Sequence, residues 1–155
     1  MDGRYVPNYA MSLNDMRYIS RVTYKPLDVH LMIEHPNNTV DLFINNLRKG
    51  DTIYIHPEAE YHPSTTIVDK VLVMSVNPGN AGQMFLPYVG EKIETLLKLR
   101  ERMHFKLYWD GACALDKIAK YAPMGMDGFV LGTTLLFDRG RPYNEIIKEI
   151  RDMFE

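Results

Sequence analysis

An apolar run from Val71 to Val76 stops abruptly at Asn77-Pro78-Gly79. After the small residues Asn80-Ala81-Gly82 it gives way to a helical pattern. No other feature restricts the fold of this chain more. A buried strand that empties into a backbone-rich turn and then a helix belongs to a parallel sheet covered by helices. Such a turn presents free N–H groups and the positive end of a helix dipole, which suit a phosphate dianion. Tyr108-Trp109-Asp110-Gly111-Ala112 and Phe129-Val130-Leu131-Gly132-Thr133-Thr134 have the same form. Three strand ends of this kind predict one site at the carboxyl edge of a parallel sheet.

Periodicity extends the pattern along the chain. Helices are expected at Leu13 to Val22 behind Ser12 as N-cap, at Thr39 to Leu47, at Pro87 to Met103, at Leu115 to Tyr121 and at Tyr143 to Phe154. Strands are expected at Leu27 to Ile33, Thr52 to His56, Lys70 to Val76, Phe105 to Asp110 and Gly128 to Gly132. The alternation is that of an α/β protein. Its rhythm breaks once, because only Pro57 to Asp69 separates two strands and no helical stripe lies there. A parallel crossover normally takes a dozen or more residues. Either those strands are not neighbours or a unit is missing between them.

Composition narrows the function. A net charge of -2 does not favour a nucleic-acid backbone or an anionic membrane. No apolar run approaches a bilayer span, and no signal-peptide core follows Met1. The single cysteine, Cys113, excludes an internal disulfide framework and fits a reducing compartment. The expected location is cytoplasmic, with neither nucleic acid nor membrane as partner.

Strand alternation sorts the side chains by face. Leu27, Val29, Leu31 and Ile33 form an apolar face for helices, leaving Asp28, His30 and Met32 on the other. Tyr54 and His56 share a side, with Glu58 beyond, and so do Lys106, Tyr108 and Asp110, which leaves Leu107 and Trp109 for the core. His30, Met32, His56, Met74 and Asp110 are thereby candidates to converge at the carboxyl ends of four strands. A His and an Asp on such strands are donors for Zn²⁺, Fe²⁺ or Mn²⁺. A divalent metal beside a ketone acidifies the adjacent C–H, and a carboxylate over that carbon moves the proton. Simpler roles are available for most of these residues. By residue type alone His30 is more simply read as a hydrogen-bonded core or surface histidine, Met32 and Met74 as core fillers and Cys113 as a small buried filler, while His56 with Glu58 is equally read as a solvated sheet edge.

Asp28-Val29-His30-Leu31-Met32, Val73 to Gly79 followed by Ala81-Gly82-Gln83, and Asp110-Gly111 resemble the ribulose-phosphate 3-epimerase family. Met1-Asp2-Gly3-Arg4-Tyr5-Val6-Pro7-Asn8 resembles the end of that family's second-strand motif. The resemblance runs in order through nearly the whole chain. It implies a (β/α)8 TIM barrel of the ribulose-phosphate-binding type. It also implies an isomerase of carbohydrate metabolism that inverts C3 of a phosphorylated ketose through an enediolate, using two bases and one divalent metal (Zn, Fe or Mn). On this resemblance His30 is a metal ligand, and Asp110 is a ligand and the acid/base on one face. Met32, Met74, Asn8 and His56 face the substrate. Gly79, Asn80, Ala81 and Gly82, with Gly111, Ala112, Gly132 and Thr133, hold the phosphate. The small-molecule partner is a phosphosugar, and a homo-oligomer is expected. Ser12, His56-Pro57-Glu58, Cys113, Gly132-Thr133-Thr134 and Leu136-Phe137 are similar to the D-allulose-6-phosphate 3-epimerase branch.

The chain also departs from that family. The family's His-x-Asp, which supplies a metal ligand and the opposite acid/base, precedes the Met-Asp-Gly found at residues 1–3 and is not in this sequence. Asp2 matches a later, non-catalytic aspartate and does not replace it. The first β/α unit, part of strand 2, and the fifth β/α unit are expected to be missing, the last between Thr66 and Ile67. Residues 1–155 are thus expected to form a single, incomplete barrel domain. The alternative function is a non-catalytic phosphosugar-binding module with half of a metal site.

Overall fold

The computed structural model describes residues 1–59, 70–137 and 139–153. The short link, including the junction at Thr66 and Ile67, falls largely outside them. The chain divides into two compact units, Met1–Leu72 and Val73–Glu155.

The first unit opens with a tight loop. Asp2 pairs with Tyr9 in an isolated antiparallel bridge, and the Gly3 N–H donates to the Asn8 carbonyl at 3.0 Å. Gly3 has a φ of +73°, which favours glycine, whereas the nearest atoms to a Cβ there belong to the exposed end of Tyr9, which can move aside. Helix α1 (Leu13–Val22) starts at Ser12. The Ser12 Oγ accepts from the Asp15 N–H at 3.3 Å, and the Asp15 carboxylate accepts from the Ser12 N–H at 2.6 Å. This reciprocal capping box satisfies two otherwise orphaned donors.

Strand β1 (Asp28–Leu31) pairs in parallel with β2 (Thr52–Ile55), in a register that joins His30 to Tyr54. β1 begins later than the apolar pattern suggests because the Leu27 N–H donates to the Asp51 carboxylate at 2.8 Å. Helix α2 is short (Val40–Ile44). A 3₁₀ turn at Pro36–Asn38 precedes it, and the Asn46 and Leu47 N–H groups reach back three residues and tighten its end. The apolar face of β1 packs as expected: Leu31, Val40, Ile53 and Ile55 form a buried cluster with Val29, Ile33, Phe43, Ile44 and Leu47 around it. The Arg48 guanidinium draws the unit together. It donates to the carbonyls of Ser20 (2.8 Å), Thr23 (2.6 Å) and Lys25 (2.8 Å) and to both oxygens of Asp51. Strand β3 (Lys70–Met74) pairs in parallel with β2 through Tyr54–Lys70 and Ile55–Val71, so the strands flanking the short link are direct neighbours.

The second unit contains the end of β3, helix α3 (Val89–Met103), β4 (Lys106–Asp110), α4 (Leu115–Tyr121), β5 (Gly128–Phe129) and α5 (Tyr143–Asp152). β4 and β5 pair in parallel, Tyr108 with Gly128 and Trp109 with Phe129. β5 is shorter than its apolar run because the Val130 N–H makes the last bond to the Trp109 carbonyl, at 2.8 Å, before the chain turns. Leu107 and Trp109 are fully buried, as the alternation of β4 requires. The Trp109 ring meets Phe85, Tyr121 and Phe129 at centroid distances of 5.6, 5.3 and 5.8 Å. Among the described residues there are five strands, fewer than the eight of a closed (β/α)8 barrel, and no helix is long and apolar enough to cross a membrane.

Candidate functional site

In the first unit the chemistry gathers on β1 and just beyond β2. His56 is completely buried, not solvated at a sheet edge. Its Nδ1 lies 3.0 Å from the Leu72 carbonyl, and its Nε2 contacts the Nε2 of His30. The two rings are 4.5 Å apart and tilted by 49°. Tyr5 stacks on the far side of His56 at 5.3 Å. Burial holds both imidazoles neutral, lowering His30 to about 4 and, with the neighbouring His30 adding to it, His56 to about 3. Burial likewise pushes the Tyr5 phenol well above its usual range, with help from the Glu58 charge.

A cavity of about 670 Å³ lies beside β1, and His30 and Met32 line it together with Met16 and Ile19 of α1. Asn8 is exposed and contributes its carbonyl to the opening loop. Asp2 organises the same region: its carboxylate accepts from the N–H groups of Arg4 (2.9 Å), Tyr5 (3.0 Å) and Glu34 (2.7 Å). Desolvation raises its pKa, and these backbone donors more than offset that, so it stays below the ordinary value. Through these three bonds it fastens the loop.

In the second unit the ends of β3, β4 and β5 lead into the glycine turns. Asp110 closes β4 half-buried, and desolvation raises its pKa although the Gly111 N–H bond works against this. Desolvation thus makes this carboxyl more basic than an exposed aspartate. The turn behind it is fixed from below. The Ser75 N–H donates to the Asp110 carbonyl at 2.9 Å, and the Ser75 hydroxyl donates to the Gly111 carbonyl, which also accepts from the Trp109 indole at 3.0 Å. Gly111 has a φ of +91°, and a Cβ on it would lie 2.7 Å from Val76. Ala112 follows at a φ of 44°.

The loop at Gly79, Asn80, Ala81 and Gly82 is tied by the Gln83 amide, which donates to the Asn77 and Asn80 carbonyls at 2.6 and 2.8 Å. Ala81 and Gly82 are exposed, and Thr133 is exposed beside half-buried Gly132. Met74 is buried. Cys113 is buried behind Asp110, and burial, with the Asp110 charge, pushes its thiol up to about 12, so it is no nucleophile.

The expected residues thus fall into two sets: His30, Met32, His56 and Asn8 in the first unit, and Met74, Asp110 and the turn residues in the second. Sequence reasoning passed over Ser75 and Tyr5. A lone serine inside an apolar strand is a signal for the first. Nothing in the sequence marks the second.

A family model described as "Ribulose-phosphate 3 epimerase family" matches the chain over residues 1–69 and 66–136, two pieces that meet at the short link. This chain belongs to that family. A ribulose-phosphate 3-epimerase of Buchnera aphidicola (subsp. Acyrthosiphon pisum) is 31% identical over 190 aligned positions, covering 100% of this chain and 80% of the relative. The ribulose-phosphate 3-epimerase of Escherichia coli K12 is 29% identical, covering 97% and 80%. That of Methanocaldococcus jannaschii is 28% identical, covering 87% and 69%. The chain is accordingly an isomerase of the epimerase class in a TIM-barrel family, and its alternating strands and helices are the α/β pattern of that fold.

The nitrogen of His30 and the carboxylate of Asp110 are donors of the kind a borderline divalent metal takes. Among the described residues no three His, Cys, Asp or Glu side chains gather closely enough to hold an ion. The donors present fit such a metal in kind and fall short of a full set in number.

Proposed function

We propose that this chain is a metal-dependent ketose-phosphate 3-epimerase acting on ribulose 5-phosphate, with D-allulose 6-phosphate as a second candidate substrate. The observation that carries this reading is Asp110. It is an aspartate of raised pKa at the end of a buried strand, followed directly by a glycine turn, in a chain of this family.

His30 and Asp110 would hold the metal, whether Zn, Fe or Mn. When bound, it supplies positive charge that polarises the substrate carbonyl and acidifies the neighbouring C–H. The Asp110 carboxylate would take the C3 proton from one face or return one to it. Met32 and Met74 offer polarisable, water-excluding walls to the enediolate. Gly79 to Gly82, Ala112 and Gly132-Thr133 would present backbone N–H groups to the phosphate, while Gly111, whose N–H is engaged by Asp110, shapes its turn, and this would fix the reacting carbon in place. The opposite acid/base matches no residue of this sequence. We place the protein in the cytoplasm as a homo-oligomer, and a light-scattering mass above one chain tests the latter.

The decisive experiment follows deuterium from solvent into C3 of ribulose 5-phosphate and of allulose 6-phosphate. Exchange into either identifies the substrate, and exchange into neither overturns the proposal. The shortage of gathered donors favours a second reading, a phosphosugar-binding module without catalysis. Elemental analysis separates the two, since a module binds phosphosugar with no stoichiometric metal.

A further inference from the structure

The contact between His30 and His56 has a direction, and the Leu72 carbonyl sets it. A carbonyl oxygen only accepts, so the His56 nitrogen 3.0 Å from it, Nδ1, carries the proton. A neutral imidazole has one N–H, which leaves His56 Nε2 as an unprotonated acceptor. That acceptor faces His30 Nε2. Two lone pairs pointed at one another repel, so His30 must carry its proton on Nε2. The other nitrogen of His30, Nδ1, is then left with its lone pair.

We propose that His56 is a positioning residue that sets the tautomer of His30: the chain Leu72 C=O, His56, His30 fixes Nδ1 of His30 as the nitrogen offered to the metal. The last step rests on the metal-dependent reading above, whereas the hydrogen-bond relay stands on the geometry of the first unit alone. Complete burial of His56 denies water any competing bond to its ring, and the Tyr5 ring stacked on it at 5.3 Å holds its plane. Partners of this kind behind a ligating histidine fix its orientation and raise its basicity. They act without touching substrate, so His56 would be needed even though it meets no reacting atom.

The test uses the full chain. In metal-free protein labelled with ¹⁵N-histidine, long-range ¹H–¹⁵N spectra distinguish protonated from unprotonated ring nitrogens. The expected result is Nε2–H on His30 and Nδ1–H on His56. Calorimetric titration with Zn²⁺ then compares three proteins. His56→Phe keeps an aromatic ring against Tyr5 and deletes both nitrogens. It is expected to let His30 mix tautomers and to weaken zinc binding about 10–100-fold. His56→Gln restores an amide oxygen able to accept from His30 and is expected to recover most of that loss, which a merely space-filling role would not produce.

A wild-type His30 protonated on Nδ1 overturns the proposal. So does a folded His56→Phe with unchanged tautomer and unchanged zinc affinity. If His56→Phe does not fold, the wild-type tautomer and the Gln variant decide the matter in the same way. Wild-type protein with Nε2–H on His30 but no zinc uptake supports the relay and overturns the metal-dependent reading instead.

Discussion

The two units keep their reactive groups in opposite ways. In Met1–Leu72 the polar chemistry is inside: His56 is sealed from water, its nitrogens are matched to a carbonyl and to a second imidazole, and an aromatic ring covers it. In Val73–Glu155 the polar chemistry is on the rim. Ala81, Gly82 and Thr133 are open to solvent, and the turns are held by bonds from Ser75, Gln83 and Trp109 beneath or beside them. On the function proposed above, the difference would follow the ligand each takes. A metal ligand gains from a fixed orientation, which burial and a second partner supply. A phosphate needs N–H groups that are still free when it arrives, so the scaffold must satisfy the carbonyls and leave the donors alone.

The largest effect is expected at Asp110, half-buried at the end of β4. Asp110→Asn should lower C3 exchange by about 10²–10⁴-fold while inorganic phosphate still binds, because the amide keeps the shape of the turn and loses the base. Isotope exchange followed by mass spectrometry, beside a phosphate titration, reads both halves. Trp109→Ala should cost about 3–5 kcal/mol of stability, since the indole is fully buried among three aromatic rings. A shift of the urea midpoint measures it, and a smaller loss means that the second unit repacks.

The sealed imidazoles give the first unit an acid limit. Both are depressed, His30 to about 4 and His56 to about 3, so between those values and the ordinary 6.5 the unfolded chain binds protons that the native chain refuses. Stability is therefore full above about pH 6.5 and falls with acid, by roughly 1.4 kcal/mol per pH unit per ring. Urea melts of metal-free protein from pH 7 to 4 should show this slope, and His56→Gln should flatten it. Gly111→Ala should cost about 1–3 kcal/mol and weaken phosphate binding, because a positive φ and Val76 both oppose a Cβ. The smallest change is Ser12→Ala, about 1 kcal/mol by thermal melt, from the loss of one side of the capping box at α1.

Much of this was legible in the sequence. α1 and α4 begin and end where periodicity places them, and at α1 the Ser12 cap agrees with the apolar stripe. The apolar strands were equally plain, and so was the burial of Leu107 and Trp109 by alternation. Strand ends were less legible: β1 starts late because a carboxylate 24 residues away takes the Leu27 N–H, and no local pattern encodes that. Asp110 and the glycine turns announced themselves by type and spacing. The partnership of His30 with His56 did not. Each histidine stands in its own strand segment, and only pairing of β1 with β2 in one particular register brings the rings together. Ser75 had a signal, a hydroxyl in an apolar run, but its acceptor at Gly111 is set by tertiary structure.

Arg48 has a consequence for which substitutions its position tolerates. One flat cation there gathers the Ser20 carbonyl in the last turn of α1 and the Thr23 and Lys25 carbonyls just beyond it, and grips Asp51 at the doorstep of β2. Lysine brings the same charge with a single nitrogen and no fork, so it can answer only part of that company. The exit of α1 and the entry to β2 are thus fastened by one side chain, and exchanging it for its nearest chemical cousin should loosen both at once.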